Sequence, residues 1–123
     1  MHPQPMIAVS DIDASRSWYR VTLGLVSGHG GHDYEQLLFD ATMVLQLHRL
    51  DETHHHEPIG AAGTPLGNGV ALWFAAADFD QATDRIRAAD PVVVTEAHHN
   101  PNAGHREIWI RDPDGYLVVV AGT

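Results

Sequence analysis

Ten histidines stand among 123 residues, with His54-His55-His56 as the densest run and His98-His99, His105, His29, His32 and His48 elsewhere. Imidazole can bind a transition ion or move protons near neutral pH. Three consecutive side chains in regular structure cannot all aim at one ion, and the triple run lies in a stretch rich in Pro and Gly. It therefore reads as a solvated polar loop able to hold adventitious zinc or nickel. Several chemistries are absent outright. Without cysteine there are no disulfides, thiolate nucleophiles or zinc-thiolate sites. All seven basic residues are arginine, which excludes a Schiff-base or phosphate-loop lysine. No Gly-x-Ser-x-Gly elbow occurs, and no serine has a placed histidine and acid around it. A formal net charge of −9 opposes nucleic acid and anionic membrane, leaving small molecules or another protein as partners. No run approaches the roughly 18 apolar residues of a membrane span, and no signal-like start is present, so a soluble, cytoplasmic protein is expected.

The elements that would carry these residues follow from periodicity and punctuation. Met6 to Val9 reads as a strand, Asp11 as a helix cap, and Ala14 to Val21 as a helix closed by Gly24. Gly28-His29-Gly30-Gly31 is expected to be a turn, followed by strands near Tyr34–Phe39 and Met43–His48. Residues 51–69, with Pro58, Pro65 and four glycines, read as a linker. The order then repeats: a strand from Ala71 to Ala76, a helix capped by Asp78 that ends near Ala89 before Pro91, and strands at Val92–Thr95, Arg106–Arg111 and Tyr116–Ala121. Asp112-Pro113-Asp114-Gly115 predicts a hairpin turn. Asp11 and Asp78 stand 67 residues apart, as do Ile7 and Phe74, while Met43–Leu47 matches Tyr116–Val120 at 73. The chain reads as one α+β domain made by duplication: module one 1–50, linker 51–69 and module two 70–123.

Two β-α-β-β-β modules in about 120 residues resemble the vicinal oxygen chelate superfamily, which includes glyoxalase I, bleomycin-resistance proteins and extradiol dioxygenases. Val9-Ser10-Asp11-Ile12-Asp13-Ala14-Ser15 with Trp18-Tyr19 and Leu23-Gly24-Leu25 is similar to the family's opening strand and helix. Arg106-Glu107 and Arg111-Asp112-Pro113-Asp114-Gly115-Tyr116 are similar to its closing hairpin. The resemblance implies cup-shaped mixed sheets. For metal-dependent members it also implies ligands on the first and last strands of each module, at Gln4, Gln46, Ala71 and Val119 here. Two neutral amides beside Ala and Val do not make a divalent site, so no metal and no cofactor is expected there.

Strand parity separates the faces. Ile7, Val9, Leu45, Leu47, Leu72, Phe74, Ile108, Ile110, Val118 and Val120 should lie under the helices. Gln4, Gln46, His48, Trp73, Glu107 and Trp109 should share the cup lining with Met6, Leu117 and Val119. A mostly apolar lining with scattered polar groups suits a flat or aromatic small molecule. The expected protein is a metal-free small-molecule binder resembling bleomycin-resistance proteins, with an antibiotic among the conceivable ligands, acting as a homodimer. A glyoxalase-like or dioxygenase-like metalloenzyme with unorthodox ligands is the alternative. Acid-base catalysis by His48 and Glu107 is a third.

Overall fold

A computed structural model describes residues 1–52 and 56–123. The elements, in chain order, are β1 (Met6–Val9), α1 (Ile12–Leu23), β2 (Val26–Gly30), β3 (Tyr34–Phe39), β4 (Thr42–Arg49), β5 (Ala71–Ala75), α2 (Phe79–Ala89), β6 (Val92–Asn100), β7 (His105–Arg111) and β8 (Leu117–Gly122). They form two four-stranded mixed sheets, ordered β1-β4-β3-β2 and β5-β8-β7-β6. In each sheet the first and last strands of the module pair in parallel and the other pairs are antiparallel. The α+β class and the tandem modules are as expected.

Both helices start by the same device. The Asp11 and Asp78 carboxylates accept from Ala14 N at 3.0 Å and Gln81 N at 2.9 Å, satisfying amides the helix leaves unpaired. Asp13 and Asp80 in the first turns, and Arg20 and Arg87 in the last, complement the helix dipoles. Under the helices lies one continuous core. It joins Ile7, Val9, Leu45 and Leu47 of module one to Ile108, Ile110, Val118 and Val120 of module two, with Tyr19 and Ile86 contributed by the helices.

The Asp112–Gly115 hairpin turn also clamps the modules together. Tyr19 donates from α1 to Asp112 Oδ2 at 2.7 Å, Ser10 Oγ to Asp114 at 2.6 Å, and Tyr116 from module two to the Ala8 carbonyl at 2.8 Å. Burial, reinforced by the Asp112 carboxylate, pushes the Tyr19 phenol well above its ordinary range. The Asp112 carboxyl is itself raised by burial, against hydrogen bonds from Tyr19 and the backbone of Tyr116 and Asp114.

Two expectations are corrected. The glycines expected to form a turn include Gly28 and Gly30, which instead lie in the edge strand β2. An edge strand bonds on one side only, and this one is bulged between Ser27 and Gly30. The absent side chains let it approach β3 closely, since a Cβ on Gly30 would fall 2.5 Å from the Tyr34 carbonyl oxygen. Strand β6 runs on to Asn100 rather than stopping near Thr95, because two bulges reset its register against β7.

Candidate functional site

The face of each sheet turned away from the helices carries the polar and aromatic groups. In module two the register places Trp73 opposite Val119 and Val119 opposite Trp109, so the three stand side by side across β5, β8 and β7. Val119 is fully buried, whereas Trp73 is 47% exposed. The two indoles meet edge to face, with centroids 6.3 Å apart and planes at 82°, and the His105 ring lies 5.8 Å from Trp73. The result is an aromatic corner packed over an aliphatic floor, with Trp73 partly exposed.

Glu107 anchors this corner. Its carboxylate, only 2% exposed as a residue, accepts from Trp109 Nε1 at 3.0 Å and Asn100 Nδ2 at 3.2 Å, meets His105 Nε2 at 3.0 Å, and lies 3.5 Å from His98 Nε2. Burial alone would raise the carboxyl. The hydrogen bonds from Trp109, His105 and Asn100 and the charge of His98 outweigh it and hold the group below the usual carboxylate range. An anion so enclosed fixes the rings around it, and most of its accepting capacity is already used.

Module one offers a different face. Gln46 Oε1 accepts from the Tyr34 hydroxyl at 2.6 Å, that hydroxyl accepts from Gln36 Nε2 at 3.0 Å, and Gln46 Nε2 donates to the Gln4 carbonyl at 3.0 Å. The Gln4 side chain is exposed and meets His2 at 3.4 Å. His48 shares the face of Tyr34, opposite it in the register, and meets His56. His48 and Glu107 stand in different modules and share no partner among their described contacts.

The family metal positions do not fit a divalent ion. Ala71 and Val119 carry no donor atoms, and the Gln46 amide is already engaged at both ends. Among the described residues no group of three or more His, Asp or Glu could hold a metal. An open indentation of about 320 Å³ borders the module-two face at Ala71, Arg111 and Leu117, and another of about 350 Å³ lies beside α2 around Phe79, Asp80 and Arg106. Neither encloses the tryptophans.

Parity located Gln46, His48, Trp73, Glu107 and Trp109 on these faces. It could not supply Asn100 and His98, which enter only because β6 extends past its bulges, nor Tyr34 and Gln36, whose role is set by pairing across β3 and β4. His56, read as part of a solvated run, reaches His48; His54 and His55 lie outside the described residues.

Comparison with known proteins agrees with this architecture. A protein of unknown function from Agrobacterium tumefaciens str. C58 is 25% identical, with a TM-score of 0.80 over 100% of this chain and 94% of that one. TioX from Micromonospora sp. ML1 is 19% identical at a TM-score of 0.77, over 99% of this chain and 98% of that one. A lactoylglutathione lyase from Agrobacterium tumefaciens is 24% identical at 0.73, over 99% and 92%. No curated protein matches the sequence. No helix among the described residues is long and apolar enough to cross a membrane. Residues 3–120 match the family model, and the chain belongs to the Glyoxalase/Bleomycin resistance protein/Dioxygenase superfamily.

Proposed function

We propose that this protein binds a flat or aromatic small molecule, without a metal at the family position, on the helix-free face of module two. The observation that carries the reading is the Trp73–Trp109 corner. Trp73 keeps about half of its surface exposed, the two indoles meet edge to face, and Glu107 bonds to Trp109 Nε1 so that the corner is held before a ligand arrives. Preorganised aromatic surface reduces the ordering cost of binding. The absence of donor side chains at Ala71 and Val119 weighs against a glyoxalase-like or dioxygenase-like reaction at that position.

A homodimer is part of the proposal. Met6 at 36% and Trp73 at 47% exposure leave apolar surface on both helix-free faces, and a second copy would cover it and wall in the ligand. Sedimentation at micromolar concentration should show a dimer, and a folded monomer there would overturn this part.

A thermal-shift screen of planar aromatic compounds, followed by tryptophan quenching with each hit, tests the binding reading. Stacking adds about 0.5 to 1.5 kcal/mol, so Trp73→Ala and Trp109→Ala should each weaken a hit several-fold while the protein stays folded. Loss of about 3 to 5 kcal/mol of stability on either truncation, with no quenching in the parent, would assign the rings to core packing and end the proposal.

A further inference from the structure

His48, at the end of β4, and His56 face each other through their Nε2 atoms at 3.1 Å. Each ring has its other nitrogen committed. His48 Nδ1 lies 2.9 Å from the Arg49 carbonyl oxygen and His56 Nδ1 lies 2.7 Å from the Glu57 carbonyl oxygen. A carbonyl can only accept, so both Nδ1 atoms carry the proton and both Nε2 atoms present lone pairs to the same point. One added proton closes the pair as an N–H···N hydrogen bond, which requires one ring to be an imidazolium; without it the two lone pairs face each other unsatisfied. A metal ion satisfies both.

We propose that His48 and His56 form a binding site for a late first-row divalent ion of the zinc, nickel or copper type. It is separate from the family metal position and independent of the aromatic-ligand reading. The distances suit an ion. At a metal–nitrogen bond of about 2.05 Å, nitrogens 3.1 Å apart subtend about 100°, between octahedral and tetrahedral values. An ion on both ring axes at that bond length holds the ring centres about 4.8 Å apart. The rings lie 4.6 Å apart, with planes at 58°. Nδ1–H donation to a backbone carbonyl is the outer-shell contact that fixes the tautomer and orientation of metal-bound imidazole. His48 is only 9% exposed, so one ligand is held rigidly by the sheet, and the chain's net charge of −9 favours a cation. Two imidazoles leave the remaining coordination positions to water or to donor atoms of a bound molecule.

The test is calorimetric titration of the untagged full chain with Zn²⁺ and, separately, Ni²⁺, with imidazole nitrogen NMR of the Zn²⁺ form. Losing an outer-shell partner alone costs about tenfold or more in affinity, so His56→Ala, at an exposed position, and His48→Gln should each weaken binding by at least about tenfold. The Nε2 resonances of both rings should move with Zn²⁺ while Nδ1 stays protonated. The double variant His54→Asn/His55→Asn should stay within about threefold of the parent. The proposal is overturned by absent saturable binding, by unchanged affinity in either His48→Gln or His56→Ala, or by an equal loss in the His54/His55 variant, which would assign the ion to the histidine run. A loss on Gln4→Ala with both His48→Gln and His56→Ala unaffected would return the ion to the family position.

Discussion

Met6 and Trp73 occupy the same slot in their modules, the first opposite Gln46 and the second opposite Val119. The neighbouring strands continue the match: Gln36 corresponds to Trp109, Tyr34 to Glu107, and on the helix side Glu35 to Ile108. The open faces have diverged into an amide and imidazole network in one module and an aromatic corner in the other. The covered faces remain largely apolar, with Ile7 and Leu47 matched to Phe74 and Val120, and Glu35 as a buried charge among them. A covered slot admits a charge only with a partner, and Arg16 of α1 reaches Glu35 Oε2 through Nε. An open face carries no such restriction, so it is where two copies of one module can acquire different chemistry.

Breaking the exceptional pair should have the largest effect. Glu35 is 3% exposed, and its Oε1 meets no donor among the described residues. Arg16→Ala leaves that carboxylate buried and unpaired and should cost about 3 kcal/mol in denaturant melts. Glu35→Ile, which copies module two, should leave stability unchanged or higher, because Arg16 keeps Asp13 at 2.5 Å and the Gly31 carbonyl at 3.1 Å. Equal losses from the two changes would mean that the module-one slot depends on the charge itself.

A smaller effect, confined to acid, should come from Glu107, whose counterpart Tyr34 carries no carboxyl. A carboxyl held below its unfolded value contributes stability that is fully present above the unfolded pKa of about 4.3 and lost as pH falls through the lower folded value. Stability of the parent should therefore rise with pH across that window. Glu107→Gln should flatten the slope in urea midpoints measured from about pH 3 to pH 6. A parental slope in the variant would place the acid sensitivity elsewhere.

The smallest effect concerns the helix ends. Both helices stop on a left-handed residue, Gly24 at φ 74° in module one and Asp90 at φ 52° in module two. Glycine adopts this conformation without a Cβ clash, so Asp90→Gly should stabilise the protein by about 0.5 kcal/mol, readable as a raised melting temperature. A lowered one would mean that the aspartate side chain compensates for its backbone.

Much of this architecture is legible in the sequence. Aspartate caps, the Gly24 stop, Pro91 and the Asp112–Gly115 turn are local signals, and local physics decides them. Alternation along β1, β4, β5, β7 and β8 separated core from cup, because a strand side chain has only two directions available. The same alternation put Trp73, Trp109 and Glu107 on one face. β2 departs from the expected turn because its glycines serve a different use, close approach to β3, which depends on the partner strand.

The sequence alone determined the duplicated α+β plan, the helix limits set by their caps, the apolar covered faces and the lack of donors at Ala71 and Val119, since each follows from residue type and spacing within one segment. Tertiary structure decided which side chains meet: Asn100 and His105 around Glu107, Tyr19 on Asp112 across the module boundary, Arg16 on Glu35, and His56 against His48. Those contacts depend on bulges, strand register and the docking of one module on the other. Such geometry is fixed by the sum of many weak packing terms over the whole chain, and no single stretch of residues encodes it.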